Sequence, residues 1–420
     1  ALLAPHRAAL VELLPANDRR REAEATLAGL ADEAARLLYS VYVLRECSPR
    51  ASDRIVSFGE RMSATLVAAV LNDRGVPAQA VPSDRLVVTD SLFGSASPLL
   101  EETARKTAET MRAIFDAGLL PVVTGFFGAD ERGITTTLGR GGSDYSASIL
   151  GNALDADEIW IWTDVDGVLT ADPRLVPDAR TLDRITYAEA TELAYFGAKV
   201  IHPKTMHPAV EKSIPIWIRN TFNPEMPGTM IGPEEGRGDT RAAVSSHASP
   251  SNSALSPQPS ALAKAITSIS SLAAVTVEGR GQIGVSDVTA RIFSAIGRTG
   301  ANVYMISQAS SQHSVTFIVG DSQADAVLAA LDAEFRSDLE RERVLSIAAA
   351  RDLAIVAVVG AGMRGTPGVA GRIFATMGNE GVNIVATAQG SSELNISFAI
   401  AANEVSRAVT ALHQAFVLGD

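Results

Sequence analysis

Cysteine and long apolar runs are scarce in this chain of 420 residues. The single cysteine, Cys47, excludes an internal disulfide and a cysteine-cluster zinc site, which fits a reducing compartment. The longest apolar runs, at 117–129 and 353–363, fall short of the roughly 20 residues that a membrane helix needs. The opening ALLAPHRAAL lacks the basic segment, apolar stretch and cleavage site of a secretory signal. We therefore expect a cytoplasmic protein that does not bind membranes.

Positive charge is also in short supply. Lysine and arginine total 36 against 48 acidic residues, a net charge of −12, and only five residues are lysine. This balance has the wrong sign for a nucleic-acid-binding protein. An anionic substrate must therefore be held by a local concentration of positive charge and backbone N–H groups.

The length and composition indicate several globular domains rather than one small module. Residues 233–263 are rich in Ser, Pro and Ala and have no apolar period, which predicts a linker. Upstream, residues 1–232 alternate β-rich runs with helical patterns, as at 119–124, after Ser143, at 158–162, after Thr186 and at 215–219. This alternation predicts an α/β domain on a mostly parallel sheet, whose ligands lie at the carboxyl ends of the strands.

An internal repeat follows the linker. Arg291-Ile292-Phe293 recurs as Arg372-Ile373-Phe374, 81 positions later, and the same offset relates many glycines, asparagines and glutamines. We assign the copies to 264–345 and 346–420 and predict a ferredoxin-like βαββαβ sandwich for each. In the second copy we expect strands at 354–359, 383–388 and 396–400, and a helix capped by Thr366 with Pro367 at its first position.

Each copy contains G-x-G-x-x-G after a strand-like run, at 279–284 and 360–365. A dinucleotide site would need an acidic residue at the end of the next strand, but Gln308 and Gln389 stand there, so we reject that interpretation. The glycines could simply allow tight turns. Alternatively, their bared amides could hold a carboxylate while Asn302, Gln308, Asn383 and Gln389 recognise a small zwitterion.

Three upstream motifs combine charge with a position that suits a ligand. Gly139-Arg140-Gly141-Gly142-Ser143-Asp144 precedes a helix, so it predicts an anion site, or more simply a helix capped by Ser143. Thr163 and Asp164, with Asp166 close behind, follow a strand and form either a site or a turn. Thr186 and Glu189 predict a capping box for a helix that leads to Lys199, which could be functional or could only interact with the helix dipole.

Together, GRGGSDYSA, WTDVDGV-x-TADPR, YFGAKVIHP, NTFNPEMPGTMI and the Gln-bearing repeats resemble the aspartokinases of the amino-acid kinase family, which carry tandem ACT domains. The segments ISQASS and AQGSSE are most similar to the kinase portion of threonine-sensitive aspartokinase/homoserine dehydrogenases. The resemblance covers nearly the whole chain. It implies an α/β, three-layer amino-acid kinase fold with a mostly parallel sheet, followed by two ferredoxin-like ACT domains.

The resemblance further implies phosphorylation of the side chain of L-aspartate by ATP with Mg²⁺, the first step of lysine, threonine and methionine synthesis. By motif, Glu60 would hold the substrate ammonium, and Arg140 and Ser143, near Phe126, its carboxylate. Asp144 would orient Lys199, the lysine at the transferring phosphoryl group. Nucleotide contacts would come from Thr163, Asp164 and Arg174. Threonine or lysine would inhibit through Asn302, Gln308, Asn383 and Gln389, and the ACT domains would pair in a homodimer or larger homo-oligomer.

Two departures from the family pattern keep alternatives open. The family's K-F-G-G-[ST] segment, whose lysine screens the phosphates, is not present in these residues, and Leu169 stands where the TDVDGVY pattern has tyrosine. A second hypothesis is therefore a non-catalytic amino-acid sensor or an inactive aspartokinase fragment. A third is a kinase for another acid such as glutamate, although Glu60 beside GRGGSDYS and the tandem repeats fit aspartate better.

Overall fold

The computed structural model describes residues 3–198, 201–234, 262–279, 286–308, 314–416 and 418. Two compact units are present. The first contains Ala1–Asp164, Ile201–Pro224 and Met230–Glu235, and the second contains Val165–Val200, Glu225–Thr229 and Gly236–Asp420. None of the helices in the described ranges combines the length and apolar character needed to cross a membrane.

The elements up to residue 232 are α1 (Ala4–Leu13), α2 (Asp18–Leu44), α3 (Pro49–Asp73), β1 (Ala78–Val81), β2 (Val88–Thr89), α4 (Leu100–Asp116), β3 (Leu120–Val123), β4 (Phe127–Asp130), β5 (Thr135–Thr137), α5 (Gly142–Ala153), β6 (Ile159–Thr163), β7 (Arg184–Thr186), α6 (Tyr187–Tyr195), α7 (Pro203–Glu211), β8 (Ile216–Asn220) and β9 (Thr229–Gly232). The later elements are β10 (Ala265–Gly279), α8 (Ser286–Thr299), β11 (Val303–Gln308), β12 (Ser314–Gly320), α9 (Asp321–Glu340), β13 (Val344–Val359), α10 (Val369–Asn379), β14 (Ala386–Gln389), β15 (Asn395–Ala401) and α11 (Val405–Ala415).

Three helices open the first unit and share one apolar core. Helix α2 begins after Asn17, whose side chain accepts the Arg20 amide, and α3 begins after Ser48 in the same way. Leu10, Leu27 and Phe58 belong to the core that they enclose. Helix α3 is tied to the rest of the unit by the buried Asp53, whose carboxylate accepts the amides of Gly94 and Thr137 and the Thr137 hydroxyl, at 2.8–2.9 Å.

The strands of the first unit are mostly parallel, as predicted. β1 pairs with β3, β2 with β4 and β6 with β8 in parallel, whereas β4 and β5 are antiparallel. The strands predicted at 119–124, 158–162 and 215–219 and the helix predicted near Ser143 are all present within a few residues. Ser143 is not the helix cap, however: Gly141, at φ +69°, occupies that position, so Ser143 lies inside the first turn.

The two repeats of the second unit form one sheet, in the order β11-β12-β10-β13-β15-β14. The early part of β10 pairs with the late part of β13 (Ile266 with Val358), and the late part of β10 pairs with the early part of β13 (Thr276 with Ala348). Each repeat is thus completed by half of a strand that belongs mainly to the other. The boundary predicted at 345/346 falls inside β13, the strand that both repeats share.

Two further boundaries differ from expectation. Helix α10 begins at Val369 after Gly368, not at Pro367, because Gly368 adopts φ +90° and the Thr366 hydroxyl donates instead to the carbonyl of Gly362.

Residues 165–200, predicted to belong to the domain 1–232, fall in the second unit. There Ala171 and Val176 share a core with Val409 and Leu412 of α11. Of the predicted linker, residues 235–261 lie outside the described part of the chain.

Candidate functional site

The turn at Gly125–Phe126 lies against the start of α5. A Cβ atom added at Gly142 would come within 2.8 Å of the Phe126 ring, and one at Gly125 within 3.1 Å of the Ser143 hydroxyl oxygen. Phe126 adopts a left-handed φ of +73°, held because its N–H donates to Ser146 Oγ and its carbonyl accepts the Leu138 amide, both at 2.9 Å. The structure therefore brings Phe126 and Ser143 together, as their predicted shared role requires. A strained non-glycine backbone of this kind is typical of functional sites.

The first turn of α5 presents amides and a cation to the same region. The Gly142 amide bonds to the Gly139 carbonyl, and the Tyr145 amide to that of Gly141. Within the described ranges, the amides of Ser143 and Asp144 have no acceptor and the exposed Arg140 guanidinium has no ion-pair partner. Bare amides at a helix N-terminus beside an arginine form an arrangement that binds carboxylates and phosphates.

Glu60 lies on α3. The next residue, Arg61, places its guanidinium 4.7 Å from the ring centroid of Phe127, which follows Phe126. The segments that carry Glu60 and Phe126 therefore meet one residue further along, through Arg61 and Phe127. The Glu60 side chain is half-buried, and no cation among the described residues pairs with it.

Asp144 projects from the first turn of α5 without a cationic partner in the described ranges. Burial raises the pKa of its carboxyl above the usual range, because desolvation disfavours the charged form. A nearby lysine would offset that cost. Lys199, the lysine predicted for this role, lies outside the described residues, so its pairing with Asp144 stays a prediction.

Thr163 and Asp164 lie at the carboxyl end of β6, where the sequence predicts a ligand. Thr163 is level with Asn220 at the end of β8, and its carbonyl accepts the Thr221 amide at 2.8 Å. Beside them is a cluster that the sequence analysis missed: the Arg219 guanidinium stacks on the half-exposed rings of Trp160 and Trp162, at 4.6 and 5.2 Å. The spacing of the tryptophans in IWIWT was a usable signal, because alternate residues share one face of a strand.

Arg174 lies in the second unit, in the segment 170–175, named here the Arg174 loop. Its guanidinium forms a bidentate contact with Asp172, with the closest approach at 2.6 Å, and its backbone amide donates to the same carboxylate. The Asp172 interaction raises the pKa of Arg174 further, so this exposed side chain stays charged. The loop borders a cavity of about 380 Å³ that is also lined by Gly197, Ala198, residues 265–268 and Val409.

Helix α6, which ends just before Lys199, is fixed at both ends to the sheet of the repeats. The predicted capping box of Thr186 and Glu189 is present. The fully buried Glu189 carboxylate also accepts Lys264 Nζ at 2.9 Å and the Ala361 amide at 2.7 Å. At the other end, the Phe196 carbonyl accepts the Thr267 hydroxyl. Gly197, at φ +91°, is so close to β10 that an added Cβ would lie 3.0 Å from Ile269.

The four predicted effector residues, Asn302, Gln308, Asn383 and Gln389, are all exposed, and the two glutamines end the edge strands β11 and β14. The glycine turn of the second repeat does not offer the bare amides expected of it. Its Ala361 amide binds Glu189, and its Gly365 amide binds Glu393 at 2.6 Å. Internal carboxylates thus occupy donors that a ligand would need. The first repeat's turn, from residue 280 to 285, lies outside the described residues.

No group of three or more potential metal-ligating side chains occurs in the part of the chain that the structure describes. The family resemblance implies that Mg²⁺ binds together with ATP, and it predicts no metal ligand among the side chains of this chain.

Comparison with known proteins gives one consistent result. The model of the amino acid kinase family matches residues 11–220, and an ACT domain model matches 275–335 and 356–416. The chain is 38% identical over 385 residues to maize bifunctional aspartokinase/homoserine dehydrogenase 1, covering 91% of this chain and 40% of that protein. It therefore spans well under half the length of that relative.

A relative closer in length is the aspartokinase of Schizosaccharomyces pombe, 33% identical over 391 residues, with 90% of this chain and 71% of the relative covered. Among solved structures, E. coli aspartokinase III in complex with aspartate and ADP superimposes with a TM-score of 0.69 at 28% identity, covering 98% of this chain and 91% of that one.

Proposed function

This chain belongs to the aspartokinases of the amino acid kinase family, and from that premise we propose that it transfers the γ-phosphoryl group of ATP to the side-chain carboxylate of L-aspartate. The products are 4-phospho-L-aspartate and ADP. The observation that carries the proposal is the start of α5, which lies against Phe126. There, within the described ranges, the amides of Ser143 and Asp144 have no acceptor and Arg140 has no ion-pair partner. Such a site suits the α-carboxylate of an amino acid.

The central physical difficulty of this reaction is repulsion between two anions. Like charges about 4 Å apart repel by about 4 kcal/mol at an effective dielectric of about 20. A carboxylate is already ionised at neutral pH, so its oxygen can attack the γ-phosphorus without losing a proton. The bond to the β-phosphate oxygen then breaks and ADP leaves. Catalysis requires positioning and positive charge rather than a general base.

The roles proposed for the residues follow from this requirement. Glu60 holds the ammonium of aspartate, while Arg140 and Ser143 hold its α-carboxylate. Thr163 and Asp164 contact the nucleoside, and Arg174 contacts the phosphates, with Mg²⁺ entering on ATP. Asp144 orients Lys199, which neutralises charge on the transferring phosphoryl group. In E. coli aspartokinase III the named complex contains aspartate and ADP, which supports this pairing of ligands.

Regulation is proposed to operate through the repeats, with threonine or lysine bound near Asn302, Gln308, Asn383 and Gln389. Edge strands β11 and β14 end at the two glutamines, so these residues adjoin unpaired strand edges in the described sheet. Unpaired edges favour pairing with another chain. We therefore expect a homodimer or larger homo-oligomer that assembles through the ACT domains.

The test is an aspartate-dependent ADP-release assay on the complete gene product that contains these residues, with hydroxylamine trapping of the acyl phosphate. Formation of the hydroxamate in step with ADP supports the proposal. Calorimetric binding of threonine or lysine without any turnover would instead support the amino-acid sensor. Faster turnover of glutamate than of aspartate would show that the acceptor is wrong.

A further inference from the structure

The Arg174 loop is anchored on α11, the last helix of the second repeat. At the start of the loop, Thr170 Oγ1 lies 2.9 Å from His413 Nε2, and at its end the Leu175 carbonyl accepts the Thr410 hydroxyl at 3.3 Å. Residues 410 and 413 are three apart on a helix and so share one face. A repeat that resembles a regulatory domain therefore holds both ends of a segment predicted to contact phosphates.

The other hydrogen bonds of Thr170 indicate whether His413 Nε2 donates or accepts in its contact with the Thr170 hydroxyl. The Thr170 amide donates to the Arg180 carbonyl, its own carbonyl accepts the Ile266 amide, and its hydroxyl oxygen accepts the Arg180 amide at 3.0 Å. The single proton of this hydroxyl still needs an acceptor. An unprotonated His413 Nε2 supplies it, which assigns the imidazole to the tautomer with hydrogen on Nδ1.

The surroundings of His413 favour this neutral form. The side chain is 3% exposed and Thr170 is 4% exposed. Burial is the main cause that lowers the pKa of His413, Arg180 lowers it further, and Asp178 raises it. Because desolvation has the largest effect, the ring is neutral at pH 7 and can accept the hydroxyl hydrogen.

The position of Thr170 also determines the position of the charged residues of the loop, Asp172 and Arg174. Asp172, two residues later, accepts both the backbone amide and the guanidinium of Arg174, so Asp172 and Arg174 form one unit. The carbonyl of Asp172 also accepts the amides of Leu175 and Val176, which makes the segment a compact turn. A displacement at Thr170 would therefore move the Arg174 guanidinium with the turn.

We propose that His413 is a positioning residue for nucleotide binding, which holds Thr170 and, through it, the Asp172–Arg174 unit where Arg174 can contact the phosphates of ATP. The inference rests on the proposed function, because it takes Arg174 as a phosphate contact. It adds that the last helix of the second repeat forms part of the support of the kinase site. A shift of α11 would then change the affinity for ATP directly.

The test compares conservative and disruptive changes at both partners in the full chain. His413→Leu and Thr170→Val remove the hydrogen bond, whereas His413→Gln and Thr170→Ser keep an acceptor and a hydroxyl. Losing one such bond is expected to raise the KM for ATP about three- to tenfold. The KM for aspartate and kcat should stay within about twofold, and the two conservative variants should recover most of the affinity. Gln414→Ala, an exposed neighbour on α11, is the matched control and should have no effect.

A pH series separates positioning from a general loss of packing. The ordinary pKa of histidine is about 6.5, and that of His413 is lowered, so protonation removes the Nε2 acceptor of the Thr170 hydroxyl only below about pH 6.5. The KM for ATP of the parent protein should rise in that range more steeply than that of His413→Gln. Parallel profiles for the two proteins would overturn the proposal.

Hydrogen exchange supplies a readout that does not depend on activity. In His413→Leu, the amides of Thr170 and Arg180 should exchange faster than in the parent, whereas those of Gln414→Ala should not. Unchanged exchange, or an equal rise in both KM values, would overturn the positioning role. If the parent chain shows no aspartate-dependent turnover but His413→Leu still exchanges the Thr170 and Arg180 amides faster than that parent, His413 holds the loop and the proposed function is what has failed.

Discussion

Arg140 is the side chain on which most of the proposed aspartate recognition depends. It is exposed and has no anionic partner among the described residues, while the amides of Ser143 and Asp144 beside it lack acceptors. In a chain with net charge −12, such a local excess of donors is what allows an anion to bind. The exposed position also means that the folded state gains little from this guanidinium, so its effects on function and stability can be separated.

We expect Arg140→Ala to lower kcat/KM for aspartate about 10- to 100-fold, because a charge-assisted hydrogen bond contributes about 1.5–3 kcal/mol. The free energy of unfolding should change by less than about 0.5 kcal/mol, as for other exposed positions. Steady-state kinetics and urea unfolding measure the two effects. Arg105→Ala, on the exposed face of α4, is the matched control. A variant with unchanged aspartate kinetics would remove Arg140 from the site.

For single residues, the sequence indicates which ones mark a site better than it predicts their backbone angles and contacts. The glycines and Arg140 of GRGGSD do mark the start of a helix, but the identity of the cap depends on backbone angles, and Gly141 rather than Ser143 meets that need. The contact of Arg219 with Trp160 and Trp162 depends on the register between β6 and β8, which local patterns do not contain.

Helix α6 leads to the segment before Lys199, and hydrogen bonds connect this helix to the repeats. Its capping box was predictable because Thr186 and Glu189 are three residues apart. The contacts of Glu189 with Lys264 and with the Ala361 amide could not be predicted, because those partners are 75 and 172 residues away along the chain. Sequence periodicity detects local partners and is blind to distant ones.

Removing the Glu189 charge should destabilise the second unit strongly. Glu189→Gln leaves the partly buried Lys264 without its carboxylate, and removing one partner of such a charged contact costs about 1–3 kcal/mol. Adding Lys264→Met should recover part of the loss, because the stranded charge is then absent as well. Urea unfolding of the single and double variants measures the coupling. Thr191→Ala, exposed on the same helix, should change little. A loss below 1 kcal/mol in Glu189→Gln would contradict the role given to this contact.

Across the whole molecule, the two repeats form a single sheet because β10 and β13 each serve both of them. The 81-residue offset predicted two related units, and the ACT matches at 275–335 and 356–416 keep that offset. It could not predict the exchange of half-strands, since similarity between copies says nothing about which copy a strand pairs with. The second repeat is completed by residues 265–269, which belong to the first copy and precede its ACT match at 275–335.

Two apolar cores in the described part of the second unit differ in what packs against them. One core contains Leu412 of α11 together with Ala171 and Val176, which flank the charged part of the Arg174 loop. The other contains Leu331 of α9 and, among the residues that the structure describes, none from 165–198. Both leucines are fully buried, so the same substitution can be made at each with the same loss of apolar area.

We expect Leu412→Ala and Leu331→Ala each to cost about 2–5 kcal/mol in unfolding free energy, as buried leucine truncations do. Only Leu412→Ala should also raise the KM for ATP, because the cavity it leaves lies in the core on which the Arg174 loop packs. Thermal unfolding and steady-state kinetics at a temperature where both variants remain folded provide the measurements. An equal rise in KM for both would mean that any weakening of the second unit reaches the nucleotide, and that α11 has no special part in holding the loop.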